Sequence, residues 1–258
     1  MVMPAASVAA LVARGILDDP WAGGRERLDL DPVVLSGAEV EALACTACTV
    51  LMALDELVPA VAARADLLAA VGLDASLRAI TALDAPRWLG LARVDVFATG
   101  DALPQACEVN CDTPTGLAET TELGRLGAVE HPHLRDPSAR LGERWTAMVR
   151  DAAPDGDPRP VVGILDPTEM TEDLGHLRLI SGWLGAAGCR VVRGSPFNLH
   201  AMPGGRVGLF GQPCTVLVRH YKADWWGGRQ PIWSDVPPPP DAAPLSRGLD
   251  LILSLIHI

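Results

Sequence analysis

Apolar and polar positions change rhythm three times along the chain, and each rhythm predicts a different kind of element. From Ser36 to Leu83 apolar residues recur at helical spacing in an alanine-rich stretch. Ser36 with Glu39 forms a capping box, so helix is expected over Gly37 to Ala63, as one long rod or as two abutting pieces broken near Pro59. More helix is expected over Ala65 to Val71 and Ala75 to Leu83, which makes the first third a helical layer. From Ala92 to Ala98 the pattern alternates, Gly100-Asp101 is a turn signal, and Gln105 to Asn110 is a second extended run. Together they predict a β-hairpin, followed by helix over Leu117 to Leu126.

The third rhythm begins after a helix predicted from Ser138 to Asp151 and a linker, Ala153 to Pro160, rich in Pro, Asp and Gly. Val161 to Leu165 reads as a buried strand, Glu172 to Ala187 as an amphipathic helix with Gly188 as its C-cap, and Arg190 to Arg193 as a second strand. That is a βαβ unit with a parallel pair. Val216 to Arg219 is a third strand, and Pro237 to Pro240 is an extended connector. The chain therefore divides into a helical region over 1–90, a hairpin with helices over 91–152, and a βαβ segment over 161–249.

Composition narrows the class. The 258 residues carry 21 basic against 32 acidic side chains, a net charge of −11, and only one of the basic residues, Lys222, is a lysine. Nearly half of the chain is apolar, enough for a sizeable core. So acidic a surface repels phosphate backbones and anionic lipid, which argues against nucleic-acid and membrane partners. The first residues, Met1 to Leu17, lack a basic start and are interrupted at Arg14 and Gly15, so neither a signal peptide nor a membrane span is expected. Six cysteines in a chain this long are no disulfide framework, and a cytoplasmic location with reduced thiols is expected. The last residues, Leu253 to Ile258, read LSLIHI directly after a helix start at Leu245. They are similar to translated sequencing adapter, and the reading frame is expected to have been cut near Asp250; an apolar end docked on the core is the alternative.

Candidate chemistry concentrates in the hairpin. Arg93 and Asp95 share one strand face, and Glu108 and Asn110 share a face of the next. If the two pairs converge, a guanidinium stands beside two carboxylates and an amide oxygen, a set suited to Mg2+ and to a phosphoryl or acyl-phosphate oxygen. Cross-strand ion pairs on a solvated surface are the plainer alternative.

The string Cys107-Glu108-Val109-Asn110-Cys111-Asp112-Thr113-Pro114-Thr115-Gly116, after a strand reading Arg93-Val94-Asp95-Val96-Phe97, resembles the core motif of the glutathionylspermidine synthase-like, circularly permuted ATP-grasp ligases. The segment Arg219 to Trp233 looks like the arginine-tyrosine-aromatic stretch of that family. Asp166 to Gly188 looks like its strand and helix with an acidic pair, here Glu172-Asp173. The resemblance spans roughly Leu91 to Leu249 and implies an α/β, incomplete ATP-grasp fold whose hairpin is a metal half-site.

It further implies an ATP-dependent ligase that phosphorylates a peptide-type carboxylate and joins it to an amine, such as a polyamine or an amino acid. By position, Arg93 would steady the acyl phosphate, Asp95, Glu108 and Asn110 would hold Mg2+, and Thr113 and Thr115 would line the peptide site. Glu172 and Asp173 would receive the cationic amine, although an acidic pair at a helix start is equally explained by the helix dipole. The family clamps ATP with lysines in a later segment, and Lys222 cannot supply both. No P-loop replaces them, so the chain as it stands is expected to be an inactive fragment. The rival from another class is a binding or assembly module that keeps the fold without catalysis.

Other motifs carry less. Cys45 and Cys48 lie in an apolar helical run and are expected to be buried small hydrophobes. His131 and His133 are expected to be solvated loop residues, Gly204-Gly205 and Gly227-Gly228 turns, and the aromatic group Tyr221, Trp225, Trp226 and Trp233 a core or interdomain patch. Lys222 between aromatic runs suits a snorkelling side chain.

Overall fold

The computed structural model describes residues 5–18, 20–26, 28, 31–72, 90–98, 103–111, 113–154, 157–167, 171–203 and 206–222. The expected helix Ala75 to Leu83, the turns at Gly100-Asp101, Gly204-Gly205 and Gly227-Gly228, Asp112, the aromatic run from Trp225, the polyproline stretch and the closing LSLIHI lie outside the described residues. The chain forms two compact units, one of Met1–Ser36, Thr115–Arg159 and Thr168–Val191, the other of Gly37–Pro114, Pro160–Pro167 and Val192–Ile258.

The first unit contains α1 (Ala5–Ala13), the short antiparallel pair β1 (Trp21–Ala22) and β2 (Arg25–Glu26), α4 (Leu117–Glu130), α5 (Leu141–Asp151) and α6 (Leu174–Ala186). Val8 and Leu11 recur on one face of α1 and close a core with Ile16, Leu17 and Ala118. Gly175 sits where a Cβ would collide with the Ile16 carbonyl oxygen, so a side chain there would push α6 off this core. The end of α6 is set by Gly188, whose φ of +86° suits the residue that reverses a chain after a helix. Arg150 donates to the freed Ala187 carbonyl there.

The second unit holds α2 (Gly37–Ala62), α3 (Ala65–Ala70), the antiparallel hairpin β3 (Arg93–Phe97) with β4 (Gln105–Asn110), and two three-stranded sheets. One sheet has the order β10-β5-β6, with β5 (Val161–Leu165) parallel to β10 (Val216–Arg219) and β6 (Arg190–Gly194) on its other side. The other is a meander of β7 (Leu199–Met202), β8 (Arg206–Leu209) and β9 (Gln212–Cys214). Leu165, Val207, Leu209, Cys214 and Leu217 form the core between them. Gly163 is small because Leu217 and Cys214 already fill the space a Cβ would take.

Helix α2 runs unbroken through Pro59 and has no buried residue. By length and composition alone it is long and apolar enough to cross a membrane, and none of its most apolar 18-residue window is buried. It packs against β3 and β4, with the Thr46 hydroxyl donating to Ala42 O at 3.0 Å and to Pro104 O at 3.4 Å. This orientation corrects one expectation: Cys45 and Cys48 are exposed. The half-buried face of α2 is made by Ala42, Leu43, Thr46, Ala47 and Val50, and the two thiols lie on the opposite side.

Candidate functional site

The hairpin register decides which side chains meet. Arg93 pairs with Asn110, Val94 with Val109 and Asp95 with Glu108, so Arg93, Asp95, Glu108 and Asn110 share one face in two rungs separated by the Val94–Val109 rung, whose side chains point to the other face. A β-bulge follows. Asp95 and Val96 are consecutive, yet their partners are Glu108 and Ala106, which leaves Cys107 as the extra residue. The bulge turns Ala106 onto the valine face and separates the polar rungs from the Val96–Ala106 rung.

Within the polar face, Arg93 grips Asp95 with both arms of its fork, Nε to Oδ1 at 2.7 Å and Nη2 to Oδ2 at 3.1 Å. The two side chains are 43% and 40% exposed, so water competes for every bond in the pair. The hydrogen bonds from Arg93 hold the Asp95 carboxyl below its ordinary pKa. The same bonds, helped by the charge of Glu108, raise the Arg93 pKa. Two carboxylates directly opposite one another repel, and this guanidinium offsets part of that repulsion. The Asn110 amide nitrogen is buried without a hydrogen-bond partner among the described residues. Since amide O and N are interchangeable by rotation of the side chain, the same position can present an acceptor oxygen.

Beyond Asn110 the backbone turns sharply. Thr113 has a φ of +86°, rare for a β-branched residue, and Gly116 has +90°. Thr113 is half-buried and Thr115 exposed, next to the start of α4. The carboxylates Glu172 and Asp173 belong to the first unit and lie in a single 3-10 turn, Thr171–Asp173, before α6. Asp173 is buried and Glu172 exposed, so the acidic pair divides between two environments.

Among the described residues no group of three or more His, Cys, Asp or Glu side chains is placed to hold a metal. An oxygen set in the hairpin would consist of two carboxylates and one amide. That composition suits Mg2+, which takes few protein ligands and keeps waters or substrate phosphates in its other positions. His131 and His133 lie edge to face with ring centroids 6.1 Å apart, His131 half-buried and His133 exposed.

One polar group was missed in the sequence. At the carboxyl end of β5, Asp166 is buried and its Oδ2 accepts from Arg193 Nη2 at 2.6 Å. On the neighbouring strand of that sheet, where Arg219 pairs with Leu165, buried Arg219 donates to Tyr221 O at 2.5 Å. The signal was available: a charged residue directly follows or closes an apolar strand run, as in VVGIL before Asp166 and VLV before Arg219.

Helices with small sheets, one of them partly parallel, define a mixed α/β protein. A solved structure of a glutathione synthetase-like effector from Globodera pallida, in its apo form, matches with a TM-score of 0.55 at 14% identity. The match covers 84% of this chain and 57% of that one, so the chain spans little more than half the length of its structural neighbour. At this identity the likeness is one of fold. No protein-family model and no curated protein sequence matches the chain.

Proposed function

We propose that this chain is part of an ATP-dependent carboxylate-amine ligase of the glutathionylspermidine synthase-like kind. The observation that carries the proposal is the hairpin register, in which Asp95 stands opposite Glu108 and Arg93 opposite Asn110. In the proposed reaction the γ-phosphoryl group of ATP passes to the carboxylate of a peptide-type substrate and ADP leaves. The lone pair of the amine then attacks the acyl carbon, phosphate departs, the nitrogen loses its proton and an amide remains.

Arg93 would donate its fork to the acyl-phosphate oxygens. For this it must leave Asp95, and because the pair is half in solvent its net worth is small enough for a doubly charged phosphoryl group to compete. Asp95, Glu108 and Asn110 would hold Mg2+, which when bound neutralises phosphate oxygens and draws charge from the transferring group. Thr113 and Thr115 are proposed for the peptide and Glu172 with Asp173 for the cationic amine, a polyamine or an amino acid, in a cytoplasmic setting. Lys222 as the only lysine leaves the nucleotide clamp to other parts of the complete ligase.

A second reading, a binding or assembly module without catalysis, is favoured by one observation: the Arg93 fork is already closed on both oxygens of Asp95. The two part on one experiment. In the complete gene product, Glu108→Gln should abolish amine-dependent ADP release while the circular dichroism spectrum is unchanged. Unaltered turnover would remove the Mg2+ assignment, and a wild-type protein that releases no ADP with any amine would leave the binding module.

A further inference from the structure

We propose that Cys45 and Cys48 are a redox modification site, a dithiol on the open side of α2 that peroxide closes into a disulfide within the helix. Both thiols are exposed, as is that of Cys107 in β4, in contrast to buried Cys189 and Cys214. They are three residues apart near the middle of Gly37–Ala62, with a full turn of helix on either side. Residues at this spacing are neighbours on one helix face. Their Cα atoms are about 5 Å apart in regular helix geometry, inside the range of roughly 4.4–6.8 Å that disulfides span. Their Cβ atoms, about 5–6 Å apart on a regular helix, must close to roughly 3.5–4.5 Å, so the bridge requires this turn to tighten by about 1 Å.

Local backbone satisfaction adds a second observation. The Thr46 and Thr49 hydroxyls donate to Ala42 O and Cys45 O, at 3.0 and 2.8 Å, so the carbonyls of this stretch have partners besides the helix ladder. When the turn tightens to bring two sulfurs together, the Cys45 carbonyl keeps a donor even if its ladder bond lengthens. The half-buried face of the helix is made by other residues, so closure on the open side displaces no core side chain.

The chemistry balances with hydrogen peroxide as the oxidant. One thiolate sulfur attacks a peroxide oxygen, the O–O bond breaks, and a sulfenic acid forms as the other oxygen leaves as water. The second thiolate attacks the sulfenic sulfur, the S–O bond breaks, and the oxygen departs as a second water. Two thiols lose two electrons in all. This site is independent of the ligase proposal, and its test uses no enzymatic readout.

The chain should be treated with a small excess of hydrogen peroxide, quenched, alkylated and cut after arginine. The fragment from Leu28 to Arg64 contains Cys45 and Cys48 and no other cysteine. The expected result is that this fragment becomes lighter by two hydrogen atoms, resists alkylation and regains both alkylatable thiols after dithiothreitol. Cys45→Ser and Cys48→Ser should each abolish the change, and Cys107→Ser should leave it intact. Circular dichroism checks that each variant keeps its fold. Two alkylated thiols after peroxide, separate sulfinic acids on the two residues, or a disulfide-linked dimer in the wild type would each overturn the proposal.

Discussion

Replacing Arg193 with Met should cost far more than the loss of an ordinary surface ion pair. The Asp166 side chain is only 8% exposed, its Oδ2 is held by Arg193 Nη2 at 2.6 Å, and its Oδ1 has no hydrogen-bond partner among the described residues. Removing the guanidinium therefore leaves a buried carboxylate without its cation, for which about 3–5 kcal/mol is the usual penalty. Because the Arg193 side chain is 30% exposed, water can follow into the space, which puts the expectation at the lower end, about 3 kcal/mol. In a chain of this length that is a fall in melting temperature of roughly 6–12 °C. Urea denaturation followed by circular dichroism measures it, and hydrogen exchange at Val161–Leu165 shows whether the loss is local to β5. Asp166→Asn with Arg193→Met should recover about 2 kcal/mol of the loss, since no charge is then stranded. A single-variant cost under about 1 kcal/mol, or no recovery in the double variant, would refute the account of this pair.

Thr113→Gly should leave the protein as stable or more stable by about 1 kcal/mol, because a β-branched residue at a φ of +86° is relieved of strain that exceeds the chain entropy glycine adds; a lower melting temperature would show that Thr113 contributes contacts that outweigh its backbone. For Asp95, carboxyl-detected NMR titration should give a midpoint below the ordinary carboxylate value in the wild type and a return toward it in Arg93→Gln. The sign follows from the lowered folded pKa: the pair contributes at pH values above the unfolded pKa, and the contribution fades as pH falls through the folded one. Equal midpoints in both proteins would mean that the fork does not hold Asp95 in solution.

Strands β5 and β10 were legible as runs of β-prone residues and β4 as the extended arm after the turn signal Gly100-Asp101, and the limits of all three agree with the sequence expectation. The sharing of a face by Arg93 with Asp95 and by Glu108 with Asn110 follows from alternation alone. That the two faces coincide depends on the register, and no local pattern reveals the bulge at Cys107 that keeps it. The meander was not anticipated for a physical reason. Its strands have three or four residues, one contains Pro213, and the turn from β8 to β9 places Phe210 at a φ of +51° beside Gly211 at +75°. Such a two-residue turn normally announces itself with Asn-Gly or Asp-Gly, and a phenylalanine conceals it.

Other differences come from tertiary choice overriding composition. Cys45 and Cys48 sit in an apolar run, yet α2 rests on the hairpin through the side bearing Thr46, which exposes them. Pro59 removes one donor near the end of a 26-residue helix, and the remaining ladder carries the rod through it. The helix expected from Glu172 begins as α6 at Leu174, after a tighter turn that buries Asp173 and leaves Glu172 in solvent.

The most direct test of the hairpin as an oxygen-ligand site is a titration of this chain with Mn2+ as a Mg2+ stand-in, read by the loss of the free-ion electron paramagnetic resonance signal. The account predicts one Mn2+ bound per chain, displaced by excess Mg2+, and lost in both Glu108→Gln and Asp95→Asn while Glu172→Gln binds as the wild type does. Binding that is undiminished in Glu108→Gln and Asp95→Asn, or no binding at all, would contradict it.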